Sequence, residues 1–236
     1  PLEQHLIAEK KPQHALIPTA IKTVERPHVF LILVESLNAN YLDYKDANNQ
    51  PVTPFLKELS NQSLTVETFY GNSIQTAKGH AAILLSAMPS IRSKLFTKFQ
   101  DIELNSIFEY VKAEGYRTLV FLSHDNIHYD NAYTFLKNKQ LDDMVSVHTL
   151  LKEKDKQFKT RWGIQDNILM QYFFEYFTSY SKKYQQPIFS IIVTGQSHVP
   201  FILPPHMRNV FPNADSKKEH YANCLNNVDK GIEVFY

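Results

Sequence analysis

The stretch that decides the fold is His28 to Ser36, HVFLILVES. His28 to Val34 is a near-continuous apolar run, and Glu35 and Ser36 follow at its carboxyl end. A run this short and this branched fits a strand buried on both faces of a parallel sheet. Two more runs have the same character: Tyr116 to Leu122 (YRTLVFL) and Ile188 to Thr194 (IFSIIVT). Helical patterns separate them. Thr53-Pro54 starts one, with Phe55, Leu56 and Leu59 at helical spacing and Pro at its first position. Residues 77–87 form another, ended by Pro89. A third spans 105–114, with Asn105 as cap and Gly115 just past its end. Others cover 130–138, 165–184 and 216–236, and Leu64 to Tyr70 alternates like a further strand. Strands alternating with helices imply an α/β fold, a mostly parallel sheet sandwiched by helices. Ligands in such sheets sit beyond the carboxyl ends of the strands. That rule selects Glu35-Ser36, Ser123-His124-Asp125 and the stretch from Thr194 to His198.

The bulk properties narrow the class. The chain has 236 residues, enough for one large core. A net charge of +1 gives no field that would select nucleic acid. Cys224 is the single cysteine, so no internal disulfide or paired-cysteine metal site can form. No apolar run reaches the ~18 residues of a membrane span. The 13 Tyr and 16 Phe suit a deep core or a pocket for a substrate with sugar or lipid parts. Residues 1–27, polar and carrying Pro12, Pro18 and Pro27, read as a lead-in segment. The chain opens on Pro1 without Met or a signal peptide, as if excised from a longer protein.

Four places carry candidate chemistry, each with a plainer alternative. Glu35 directly follows a buried strand, where a carboxylate is costly unless paired or metal-bound; it would also serve as a cap for the next segment. Thr76 stands where a strand exit meets a helix start. A hydroxyl there lies in the positive potential of free N–H groups and becomes a nucleophile beside a divalent metal; otherwise it is an ordinary N-cap. His198, past the third strand, can contact an anion, donate a proton or bind metal, or simply lie on the surface. Arg161-Trp162 offers a guanidinium fork for phosphate beside a stacking surface, or else Trp162 anchors the long helix in the core.

Taken in order, the motifs resemble the extracellular domain of the lipoteichoic acid synthases and related phosphoglycerol and phosphoethanolamine transferases of the alkaline phosphatase/sulfatase superfamily. The matching stretches are Val29 to Ser36, Val52 to Leu56, Phe69 to Gly71 leading to Thr76-Ala77-Lys78-Gly79-His80, and Ser86 to Ser90. They continue with Phe121 to Asp125, Tyr129 to Asn131, Arg161 to Asp166 and Ser197 to Phe201. By that resemblance, residues 28–236 are the N-terminal and central part of a catalytic domain whose C-terminal part is absent from this chain. Residues 1–27 would follow a membrane anchor. Glu35 matches the first metal ligand, and Thr76 both a ligand and the nucleophile that is transiently phosphorylated. His198, Arg161 and Trp162 fall where relatives contact the substrate head group. The implied cofactor is one divalent metal ion: Mn, Mg or Zn. The family's remaining ligands, an Asp-His pair, are expected after a later strand that this chain does not reach.

The resemblance implies a two-step transfer. Thr76 would take a phosphoglycerol or phosphoethanolamine head group from a phospholipid and pass it to a cell-envelope glycan or lipid acceptor. The enzyme would sit at the cell membrane, through a segment outside this chain, with its catalytic domain facing the periplasm or the exterior. No Cys/Ser-x-Pro-x-Arg context surrounds Thr76, which argues against sulfate-ester chemistry. A phosphodiesterase, phosphatase or sulfatase-like hydrolase of the same fold is the alternative, as is a catalytically silent binding domain.

Overall fold

The computed structural model describes residues 26–66 and 68–236, so the lead-in expected over 1–27 lies almost wholly outside the described residues. The strands, in chain order, are β1 (Val29–Leu33), β2 (Arg117–Leu122), β3 (Asp143–Ser146), β4 (Lys159–Thr160), β5 (Gly163–Ile164) and β6 (Ile188–Val193). The helices are α1 (Pro54–Gln62), α2 (Thr76–Leu85), α3 (Leu95–Lys98), α4 (Ile107–Ala113), α5 (Ala132–Asn138), α6 (Asp166–Tyr184) and α7 (Lys217–Phe235). Four strands form one sheet in the order β1-β6-β2-β3, and every pair is parallel. Strands β4 and β5 make a small antiparallel pair.

Alternation along the strands sorts the core into two layers. Val120, Phe189, Ile191 and Val193 pack with Leu84 of α2, Phe96 of α3, Phe108 of α4 and Phe135 of α5. Leu119, Phe121, Ile188 and Ile192 pack with Leu169 and Phe173 of α6 and Val228 and Ile232 of α7. Phe121 and Phe173 are fully buried, with ring centroids 5.3 Å apart. Each such side chain stabilises the fold by roughly 1.5–3 kcal/mol relative to an exposed one. The register brings Leu33, Val193 and Leu122 level, so the three expected loop starts share one rim.

Four expectations need correction. Strand β1 is not buried on both faces. Among the described residues it pairs only with β6, and Val29 and Phe30 remain 38% and 36% exposed. Phe30 still packs edge-on against Phe177, with centroids 4.9 Å apart. The alternating stretch from Leu64 to Tyr70 has no strand partner among the described residues, and Leu64 is 97% exposed. Alternation sets which side chains share a face, but a strand forms only where another offers its backbone. The cap of α4 is Ser106 rather than Asn105: its hydroxyl accepts the N–H of Glu109 and donates to the carbonyl of Lys139. Similarly, α2 ends at Leu85 because Ser86 turns left-handed (φ 50°), before Pro89 is reached.

Candidate active site

The carboxyl rim of the sheet gathers Glu35, Thr76, Trp162 and His198 around one cavity. Glu35 follows β1. Its N–H donates to Thr194 Oγ1 (2.9 Å), and the N–H of Thr194 returns to the carbonyl of Leu33 (3.2 Å). Ser197 Oγ donates to the carbonyl of Glu35, locking the loop after β6 onto the loop after β1. Ser36 adopts a left-handed backbone (φ 57°), a sharp turn that is costly outside Gly and often marks a functional position. Tyr221 OH of α7 supports that turn by donating to the carbonyl of Ser36.

Thr76 is the first residue of α2, and the cap is Gln75, which makes no side-chain capping bond. The hydroxyl of Thr76 is therefore not spent on its own helix. It is exposed and donates to Glu35 Oε1 at 3.0 Å, across 41 residues of sequence. First-turn amides of α2 lie beside it, with their partial positive charge. One turn further along, His80 also lines the cavity. Burial pushes its imidazole down to about 4, so it is neutral at neutral pH.

Trp162 is not a core anchor for α6. It is half-buried at the cavity, its Nε1 donates to the carbonyl of Val199 (2.7 Å), and its ring lies 4.5 Å from that of His198. Gly163 makes this placement possible: at φ 154°, an added Cβ would collide with Ser123 Oγ and the Ser123 backbone. Ser123 Oγ accepts the N–H of Ile164 and donates to its carbonyl, which ties β5 to the end of β2. Arg161 is exposed, with its guanidinium 5.7 Å from the Trp162 ring, and it does not line the cavity. His124, at the end of β2, does line it, and its Nδ1 accepts the N–H of Asn126.

Asp166, inside the Arg161 to Asp166 motif but given no role from sequence, proves structurally central. It is fully buried at the start of α6, and its two oxygens accept the N–H groups of Gly195 and Gln196, each at 3.0 Å. It thereby holds the loop that carries Ser197 and His198. Burial raises its pKa to about 7, against the pull of those two bonds. A folded pKa above the unfolded value means stability is fully present below about pH 4 and is lost as pH rises through about 7. A rise from 3.8 to about 7 is worth on the order of 4 kcal/mol. Wild type should therefore lose stability between pH 4 and 7.5 relative to Asp166→Asn, which is neutral throughout. Urea unfolding at several pH values measures the gap; a gap constant across the window would mean that Asp166 is ionised at all of them.

Among the described residues, no three His, Cys, Asp or Glu side chains cluster as a metal site. Glu35 and Thr76 alone do not make one, since catalytic sites usually have three protein ligands.

The sulfatase family model matches residues 27–236. The chain is 22% identical over 216 residues to the lipoteichoic acid synthase-like protein YvgJ of Bacillus subtilis (strain 168), covering 88% of this chain and 33% of that protein. Its fold is shared with the lipoteichoic acid synthase LtaP of Listeria monocytogenes (TM-score 0.79, 19% identity, 89% of this chain and 51% of that one). It is also shared with the phosphoglycerol transferase GacH of Streptococcus pyogenes, solved with sn-glycerol-1-phosphate (TM-score 0.59, 18% identity, 89% and 56%). The chain thus spans a third of the matched Bacillus protein and about half of each matched structure. A parallel sheet between two helical layers, with a polar site on its carboxyl rim and a model match across nearly the whole length, places this chain in the sulfatase family.

Proposed function

We propose that this chain carries the nucleophile half of a phosphotransferase that moves a phosphoglycerol or phosphoethanolamine head group from a phospholipid to a cell-envelope glycan or lipid. One observation carries the reading: the Thr76 hydroxyl, at a helix start and free of capping duty, donates to Glu35 at 3.0 Å on the carboxyl rim. Thr76 Oγ1 attacks the phosphorus, its bond to phosphorus forms, and the bond to the diacylglycerol oxygen breaks. The Thr76 proton leaves along its hydrogen bond toward Glu35. That proton passes on to the diacylglycerol oxygen, which leaves as the alcohol. The acceptor hydroxyl oxygen then bonds to phosphorus as the Thr76 Oγ1–phosphorus bond breaks, and the acceptor's proton returns through Glu35 to restore the Thr76 hydroxyl. Phosphoryl transfer depends mostly on alignment and charge stabilisation. His198 and Trp162 bind the head group at the cavity mouth, and Arg161 joins them by swinging in from the surface.

The resemblance also supports one divalent cation, Mn, Mg or Zn, for which Glu35 and Thr76 would be two of the ligands. Bound there, it would supply positive charge that acidifies the hydroxyl, but two ligands do not hold it, and the steps above stand on the chain's own residues. In this reading 28–236 is part of the catalytic domain, 1–27 leads in from a membrane anchor, and the domain faces the periplasm or exterior. No helix among the described residues is long and apolar enough to cross a membrane.

The test is a covalent trap. The intact protein is incubated with phosphatidylglycerol or phosphatidylethanolamine without acceptor, digested and analysed by mass spectrometry. The expected result is a phosphoglycerol or phosphoethanolamine adduct on the Thr76 peptide that disappears when an acceptor is added. Turnover without any adduct, under conditions that slow the second step, would refute the threonine intermediate. An adduct that water clears as fast as any glycan would make the protein a hydrolase.

A further inference from the structure

The cavity at Glu35 and Thr76 is not a shallow anion dish. It has a volume of about 190 Å³ and runs inward from the rim, between the sheet and the helices above it. Its mouth is polar: Glu35, Thr76, His80, His124 and His198 stand there. Its interior is apolar. Leu33, Val193 and Leu122, the last residues of β1, β6 and β2, form the floor near the mouth, and Leu84, Leu136 and Met144 line the depths. Among the described residues, the one charged side chain lining the cavity beyond the mouth is Asp130, and Lys94 Nζ binds both its oxygens at 2.7 and 2.8 Å.

Such a space has a definite ligand preference. An apolar cavity of ~150 Å³ stays dry and takes up benzene, a six-carbon guest. Glycerol or ethanolamine, placed inside, would leave hydroxyl or ammonium groups without partners, a costly arrangement. A saturated chain or ring would find mostly carbon around it. The polar head group must therefore face outward to the mouth, and the inner space is left for an apolar substituent of the same ligand.

We propose that this hollow binds the apolar ester substituent of a phosphate ester, an alkyl or aryl segment of about six carbons, with the phosphate at the Glu35–Thr76 mouth. The proposal rests on the reading of that mouth as a phosphoryl-transfer centre. For a phospholipid donor, the glycerol unit and its ester groups stay at the mouth, and the hollow admits only part of one acyl chain; the volume is too small for two whole chains. The cavity then selects donors by the apolar side of the phosphodiester, while His198 and Trp162 meet the polar side.

Chain-length dependence tests this. Methyl phosphate, hexyl phosphate and 1-hexanol are titrated against the chain in magnesium-containing buffer, with the methyl signals of Leu33, Ile191 and Val193 followed by NMR. Each methylene moved from water to an apolar site is worth roughly a threefold to fourfold gain in affinity. Hexyl phosphate should accordingly bind at least tenfold more tightly than methyl phosphate and shift those methyls. In Ala132→Phe, which fills the hollow from the first residue of α5, the two phosphates should bind within about twofold of each other. Leu136→Phe replaces it if that variant does not fold. Equal binding of the two phosphates to wild type would overturn the hollow while leaving the phosphate mouth in place. Hexanol binding with no response to either phosphate would overturn the phosphoryl reading and this proposal with it. Hexyl phosphate that binds tightly without moving the methyls would place the chain elsewhere and overturn the proposal alone.

Discussion

Thr76→Ala in the intact protein is expected to lower turnover of a lipid or chromogenic phosphodiester by roughly a thousandfold or more, with no measurable change in fold. Loss of a covalent nucleophile commonly costs that much or more, because the remaining groups then stabilise a reaction they no longer start. The structural cost should be small. Thr76 is exposed, its hydroxyl caps nothing in α2, and Ala is a better helix former than Thr. A substitution of this kind lies within about 0.5 kcal/mol. Removing a true N-cap would instead cost about 1 kcal/mol and leave chemistry largely intact. Activity and stability therefore separate the two readings of this residue. Thr76→Ser, which keeps a hydroxyl, should retain part of the rate. If the Ala variant turns over within about tenfold of wild type while unfolding at lower urea, Thr76 is structural and the mechanism falls.

Much of the scaffold could be read from local pattern. Three of the four sheet strands announce themselves as short branched apolar runs, and the long helices α6 and α7 stand out by length. Strand β3 does not: Asp143 to Ser146 is four residues with a charged start and a polar end. Its place at the sheet edge comes from pairing with β2, which no local pattern encodes. Glu35 was visible because a carboxylate after an apolar strand is costly without a partner. Thr76 was visible only as a helix start; its partner comes from the turn after β1, 41 residues earlier, through the fold. Asp166 was the harder case. An acidic residue at a helix start looks like a response to the helix dipole, whereas its oxygens serve the backbone of another loop.

Helix α7 shows the same limit and carries the second large expectation. Asn223, Asn226, Asn227 and Asp229 would pass for a solvated face, yet all four are buried. Asn223 Oδ1 accepts the N–H groups of Val210 and Phe211, and Asn226 Nδ2 donates to the carbonyl of Val52. Asp229 does most: its oxygens accept the N–H of Leu56 at 2.7 Å and of Phe55 at 3.1 Å. It thus caps α1 from a distance, where Thr53 makes no capping bond of its own. Asp229→Ala should destabilise the protein by about 2–4 kcal/mol, since it removes two hydrogen bonds to a charged acceptor and leaves two half-buried donors without that partner. Domains of this kind have only about 5–15 kcal/mol in total, so the urea midpoint should fall markedly. Asp229→Asn should lose less. It keeps one acceptor oxygen and sheds a charge that burial disfavours, as the raised pKa of this carboxyl indicates. A loss below about 1 kcal/mol for Ala would mean that water replaces the carboxylate and that α1 is held by its apolar contacts alone. Because Tyr221 of the same helix supports the turn at Ser36, loosening α7 should also weaken the geometry at Glu35, and the Ala variant should lose phosphodiester turnover before it unfolds.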